Sequence, residues 1–137
     1  MKMRIKLDEG AKVSRAHKTD AGLDLYARVT REIPAHRSRI FDTGVHIELP
    51  KGTAGILISK SGLNTVHGLT STGLIDEGYT GSIVVKLYNN SDADYTVNEG
   101  DKISQLVIVP ILTPELEFVD ELDETDRGEK GFGSTGR

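Results

Sequence analysis

The sequence predicts an all-β domain, a barrel or sandwich built from many short strands. Three observations carry this. Apolar and polar residues alternate over short spans, as in Arg4-Ile5-Lys6-Leu7 and Val45-His46-Ile47-Glu48-Leu49, the period of two that a half-buried strand requires. Turn-forming residues punctuate these spans, among them Pro50-Lys51-Gly52, Asn89–Asp92 and Asn98-Glu99-Gly100-Asp101, each suited to reversing an extended chain. No stretch of ten or more residues sustains the 3.6 period of an amphipathic helix.

Taken in order, Arg4–Leu7 is the first strand, and Asp8–Asp20 a polar loop. Ala21-Gly22-Leu23-Asp24-Leu25-Tyr26-Ala27 alternates again and sets Asp24 between two leucines, which on pattern alone makes it a solvent-facing strand residue. Ile33-Pro34 breaks the alternation and Arg39–Leu49 resumes it, with Val45, Ile47 and Leu49 on one face and His46 and Glu48 on the other. Ile56-Leu57-Ile58 reads as buried strand, followed by the polar loop Ser59-Lys60-Ser61-Gly62 and one helical turn over Leu63–Val66. Gly73–Leu87 reads as strand, turn and strand, a hairpin with Asp76 and Tyr79 at its lip and the β-branched run Ile83-Val84-Val85 after it. Tyr95 and Val97 form a short strand. Lys102–Val109 is the longest apolar run, with Gln105 in its middle, and Leu116-Glu117-Phe118-Val119 is expected to close the core. After Val119 the chain turns acidic, then glycine-rich with the single aromatic Phe132. That tail has too little apolar surface to offset the entropy of ordering it.

The 137 residues make one domain long enough to bury a core. A net charge of −4 argues against a general nucleic-acid binder that grips phosphates through a basic face. The absence of cysteine excludes disulfides, thiolate metal sites and a cysteine nucleophile. No run is long enough to span a membrane and the N-terminus has no apolar signal segment, so the expected location is cytoplasmic. His17, His36, His46 and His67 stand at unrelated spacings and read as surface or loop residues.

Three stretches have the chemistry of phosphate loops. Ser59-Lys60-Ser61-Gly62 offers a cation, hydroxyls and backbone amides. Gly100-Asp101-Lys102-Ile103-Ser104-Gln105 places Gln105 on a strand face. Gly131-Phe132-Gly133-Ser134-Thr135-Gly136, with Arg127 ahead of it, combines flexible amides, hydroxyls and a guanidinium. Singly each is weak, since most Ser/Gly loops are only turns. Asp76, alone, reads as a turn aspartate capping its own backbone.

Together and in order, these residues resemble the homotrimeric dUTP pyrophosphatase (dUTPase) family from end to end. Five stretches carry the resemblance: Ala21–Ala27, Ser59–Leu63, Gly73–Gly81, Gly100–Leu106 and Arg127–Gly136. It implies a trimer of distorted jelly-roll (β-clip) barrels, with a core over 1–125 and a glycine-rich arm over 126–137 that closes on a neighbouring subunit's site. It also implies Mg²⁺-assisted hydrolysis of dUTP to dUMP and pyrophosphate, which keeps uracil out of DNA and supplies dUMP for thymidylate synthesis. No membrane or direct nucleic-acid partner is implied.

On this resemblance Asp76 is the general base that activates the attacking water, a role that typically contributes about 10²–10⁴ in rate. Gly73, Leu74 and Ile75 read the uracil through backbone groups, and Tyr79 packs on the deoxyribose. Lys60, Ser61, Gly62 and Gln105 hold phosphates. Asp24 reaches Mg²⁺ through water, the phosphates being the direct ligands. Arg127, Phe132, Gly133, Ser134 and Thr135 clamp the nucleotide from the arm, with Phe132 stacking on uracil for about 1–3 kcal/mol.

The chain departs from the family pattern at three positions. Lys60 stands where arginine is usual, keeping the charge and losing the bidentate fork. Gly78 replaces a frequent acidic residue, and Lys130 a usual glycine. Two other readings compete: a dCTP deaminase of related fold, for which the expected arginine- and serine-rich segment is missing, and a binding or regulatory protein on the same scaffold.

Overall fold

The computed structural model describes residues 1–133, 135 and 136. Among them the chain forms β1 (Arg4–Leu7), β2 (Val13–Ser14), β3 (Gly22–Tyr26), β4 (Arg31–Ile33), β5 (Ser38–Asp42), β6 (Val45–Glu48) and β7 (Thr53–Ile58). The helix α1 (Ser61–His67) follows, then β8 (Leu69–Thr70), β9 (Thr72–Ile75), β10 (Val84–Asn89), β11 (Tyr95–Val97) and β12 (Lys102–Pro110). The architecture is the expected all-β one. The single helical turn anticipated at Leu63–Val66 is a seven-residue helix ended by Gly68, whose φ of +70° and amide bond to the Asn64 carbonyl make a left-handed C-cap.

Every strand pair is antiparallel. The largest sheet runs β2-β3-β12-β7-β9, a second runs β5-β10-β8, and β1-β6 and β11-β4 are two-stranded ribbons. The long apolar strand β12 is central to the first sheet because both its edges are paired, with β3 on one side and β7 on the other. The second sheet supplies the facing half of the core. In β10, Val85, Leu87 and Asn89 are buried while Val84, Lys86 and Tyr88 are exposed, the alternation of a sheet with one wet face. Val85 and Leu87 meet Phe41, Leu25, Leu57, Leu69, Ile83 and Leu106 in one apolar cluster.

Polar groups caught inside are paired. The Thr43 hydroxyl donates to the Ile83 carbonyl at 2.6 Å, and the Asn89 amide donates to the carbonyls of Ile33 and Ala93. Among the described residues no buried side-chain nitrogen or oxygen lacks a partner, as a well-packed interior demands.

Three expectations need correction. Gly73–Leu87 is not a closed hairpin. β8 pairs with the far end of β10, but after Ser71 the chain crosses to the other sheet, where β9 pairs with β7. The Ser59 hydroxyl accepts from the Ser71 amide at 2.9 Å and donates to the Ser71 carbonyl at 3.1 Å, so the residue between the two sheets keeps both backbone bonds. Asp24 does not face solvent. β3 is covered on both faces from Leu23 to Tyr26, and Asp24 is only 6% exposed. Leu116–Val119 does not close the core of a single chain. Beyond Pro110 no strand forms among the described residues, and Leu112, Leu116, Phe118 and Leu122 stand exposed because no strand edge of their own chain pairs with them.

Candidate active site

The departure of β9 from β10 opens a cleft of about 370 Å³. It is lined by Thr72–Asp76 on one side and by Ser82–Val84 and Lys86 on the other, with Tyr79 at the rim. As the edge strand of its sheet, β9 directs half of its amides and carbonyls away from β7, so the groups suited to reading a flat polar ring are free. Asp76 follows β9 directly and is exposed. The Tyr79 amide donates to the Asp76 carbonyl at 3.2 Å, closing a turn in which Gly78 has φ +90°. An L-residue is strained there, which suits the glycine at this position.

Tyr79 is held by its own loop. Its hydroxyl donates to the Ser82 carbonyl at 2.9 Å, and its ring lies so close over Gly81 that a Cβ there would come within 2.8 Å of a ring carbon. The loop is tied to the barrel on both flanks. The Gly52 amide donates to the Glu77 carboxylate at 2.6 Å, and the Ser82 hydroxyl donates to Asp42. That bond comes first among the influences holding the Asp42 carboxyl below its ordinary range, followed by the Gly44 amide, with burial opposing them and Arg28 and His46 assisting.

The second cluster lies at the opposite end of the large sheet, in a pocket of about 330 Å³ lined by Asp20, Gly22, Asp24, Lys60, Lys102 and Gln105 among others. Asp24 and Gln105 are cross-strand partners. Lys60, just before α1, donates to Asp24 Oδ1 at 2.6 Å, and Lys102 lies 3.0 Å from Oδ2. Burial opposes ionisation of Asp24 and is the largest single influence, yet the two ammonium groups together hold its carboxyl below the usual range. The Gln105 amide donates to the Ser59 carbonyl at 3.0 Å, and the rest of its side chain leans over Gly22, where a Cβ would sit 3.1 Å from both Cβ and Cδ of Gln105. Ser61 and Gly62 open α1 and are exposed, their amides lacking intrahelical acceptors.

The structure thus gathers Asp24, Lys60 and Gln105 in one place, beside Ser61 and Gly62, and Gly73, Leu74, Ile75, Asp76 and Tyr79 in another. It does not bring the two sets together. From the strand registers, Asp24 and Asp76 are three strand spacings and about four residues apart, roughly 20 Å at ordinary sheet dimensions. Arg127, Phe132, Gly133 and Thr135 are exposed and line neither pocket. The Arg127 Nε donates to the Lys130 carbonyl within the tail. Ser134 lies outside the described residues.

Sequence reasoning missed two participants. Lys102, quoted only as part of a motif, is the second cation on Asp24; its place at the start of a strand paired with the Asp24 strand was the available signal. Gly22 is likewise only part of a motif in the sequence, and its role in making room for Gln105 had no signal short of the register.

A cationic pocket built round a carboxylate, and a cleft with free strand-edge groups, an aspartate and a tyrosine, suit a compact polyanion carrying a flat polar ring. The class is a nucleotide-handling β-barrel. The sequence model of the dUTPase family matches residues 8–136. The chain is 43% identical over 136 residues, 96% of each chain, to the deoxyuridine 5'-triphosphate nucleotidohydrolase of Crocosphaera subtropica. Staphylococcus bacteriophage 80alpha dUTPase, solved with dUpNHpp, superposes with a TM-score of 0.92 at 34% identity over 99% of both chains. A variant dUTPase from phage phi11 of S. aureus, whose structure concerns the coordination of a structural Mg(II) ion, superposes at 0.83 with 33% identity over 90% of this chain and all of that one. The chain belongs to the dUTPase family.

The Asp24 pairing has a pH signature. A carboxyl held below its ordinary value of 3.8 stabilises the fold above that pH, and the contribution is lost as pH falls through the folded value. Asp24→Asn is expected to lower stability by about 1–3 kcal/mol at pH 7, less than a fully buried pair because both lysines reach solvent. The deficit shrinks below about pH 4. Urea unfolding of both proteins at matched concentration across pH 3–7 checks this.

Proposed function

We propose that this chain hydrolyses dUTP to dUMP and pyrophosphate by attack of water on the α-phosphorus, in a site assembled from three copies. The observation that carries the reading is the separation of two chemically complementary half-sites in one chain. Side chains roughly 20 Å apart cannot flank one phosphorus, but the phosphate half of one copy can meet the base-and-sugar half of another. The relatives this chain resembles bear the nucleotidohydrolase name, and the 80alpha relative holds a dUTP analogue.

In this reading the free edge of β9 at Gly73–Ile75 exchanges hydrogen bonds with uracil, and a thymine would be rejected by the clash of its 5-methyl with that strand. Tyr79, fixed by Ser82 and Gly81, packs against the deoxyribose where a 2′-hydroxyl would stand. Asp76 accepts the proton of the attacking water. Lys60 exchanges its bond to Asp24 for the phosphates, with Ser61, Gly62 and Gln105 beside it, while Lys102 keeps Asp24 paired. Arg127, Phe132, Gly133, Ser134 and Thr135 of a third copy cover the nucleotide and exclude water. The barrel over 1–125 and the arm over 126–137 then act as two functional parts.

The donor set fits magnesium only through water. Asp24 offers hard oxygen, but both its oxygens already face ammonium groups, and no group of three or more His, Cys, Asp or Glu among the described residues could hold a metal alone. Bound to the substrate's phosphates, magnesium would neutralise charge that builds as the phosphoanhydride breaks. The role inferred is removal of dUTP before it enters DNA and supply of dUMP, acting on the free cytoplasmic nucleotide. No helix among the described residues is long and apolar enough to cross a membrane.

The test is pyrophosphate release from dUTP, dTTP, dCTP and UTP, with and without Mg²⁺. Strong preference for dUTP is expected; equal turnover of UTP, or ammonia from dCTP, overturns the reading. Asp76→Asn should bind dUpNHpp nearly as well as the wild type while turnover falls about 10²–10⁴-fold, measured by calorimetry and steady-state kinetics. Removing 127–137 should leave a folded trimer by light scattering with little activity.

A further inference from the structure

We propose that His46 is a positioning residue that ties the 76–82 loop to the end of β1 only when its imidazole is doubly protonated, so that the placement of Tyr79 depends on pH. The proposal rests on the reading of that loop as the one that meets the sugar and the attacking water. His46 lies on β6 opposite Lys6 of β1. Its side chain, 20% exposed, stands between two acceptors. Nε2 is 3.1 and 3.0 Å from the two Asp8 carboxylate oxygens, and Nδ1 is 2.8 Å from the Thr80 carbonyl oxygen.

Neither partner can donate. A neutral imidazole has one N–H, so only the imidazolium makes both bonds. The surroundings agree in direction. The Asp8 hydrogen bond, then the Thr80 carbonyl, raise the His46 pKa above 6.5, with burial and Lys6 opposing. Of the other charged groups nearby, Asp42 on β5 senses His46 at longer range, and Arg4 and Glu48, which line the same groove, are paired with each other at 2.7 Å.

The bond matters because of where Thr80 lies. Glu77 is held by Gly52 and Ser82 by Asp42, but between them stand Gly78 and Gly81, the first at positive φ. Thr80, next to Tyr79, is the one residue of that span whose backbone carbonyl takes a side-chain bond from the β1–β6 ribbon. When pH rises through the raised pKa, one proton leaves. The Asp8 carboxylate favours keeping the proton on Nε2, which leaves the Nδ1 lone pair facing the Thr80 oxygen. The Thr80 bond is therefore the one lost. The sign follows: the tether is complete below pH 6.5 and disappears as pH rises through the folded value.

The experiment uses the full chain as wild type, His46→Gln and Asp8→Asn. The His46 ring is titrated by NMR, amide exchange of 77–82 is followed with correction for intrinsic rates, and kcat and KM for dUTP are measured from pH 5.5 to 9. His46 should titrate above 6.5 in the wild type and lower in Asp8→Asn, with loop exchange accelerating through the same pH. At low pH, KM should be roughly three- to tenfold lower in the wild type than in His46→Gln, the range of one hydrogen bond. The two should converge above the His46 pKa while the ratio of their kcat values stays flat; this comparison cancels the ionisation of dUTP itself. A ring that titrates at or below 6.5, or a KM ratio independent of pH, overturns the proposal. If the wild type does not hydrolyse dUTP, the functional reading falls, and the ring titration with the exchange data decides the tether alone.

Discussion

The parting of β9 from β10 is the constraint on which the rest depends. Two consecutive strands that could have zipped together are drawn into different sheets, and Ser71, where the chain leaves β8 for β9, satisfies its backbone through the Ser59 hydroxyl. Without that substitute, an unpaired amide and carbonyl near a buried residue would favour closing the hairpin. With it, β9 completes one sheet, β10 anchors the other, and the gap between them becomes the cleft. Ser59 also precedes Lys60 and accepts from Gln105 through its carbonyl. One short polar segment therefore shapes both half-sites.

The half-sites differ in how they are held. Around Asp24, rigidity comes from charge: two cations on one largely buried carboxylate, each satisfying one oxygen. Around Asp76, it comes from tethers at the flanks of a glycine-containing loop. The first suits binding a polyanion whose charge replaces part of an existing pairing. The second would suit, on the proposed function, a loop that sits close to a sugar and ring without filling their space.

Much of this was legible in the sequence. Alternation in Val45–Leu49 and the turn residues pointed to the all-β class, and the ordered motifs contain the residues that the fold gathers round the two pockets. What the sequence hid was long-range. That β9 leaves β10 depends on a hydroxyl twelve residues away, which no local pattern encodes. The burial of Asp24 follows from β3 being covered on both faces, whereas alternation assumes one wet face. Leu116 and Phe118 look like core because they are apolar, but a strand also needs an edge to pair with, and among the described residues none takes them. His46 reads as the polar face of a strand, as the period requires, and only the position of Asp8 and Thr80 gives it partners.

Gly22 carries a consequence for how this sequence can drift. The Gln105 side chain occupies the space that any larger residue at 22 would need. A methyl at 22 would push the Gln105 side chain aside, and a displaced or shorter residue at 105 surrenders its hold on Ser59. A change at one of these neighbouring-strand sites is thereby felt at the other by crowding rather than by attraction.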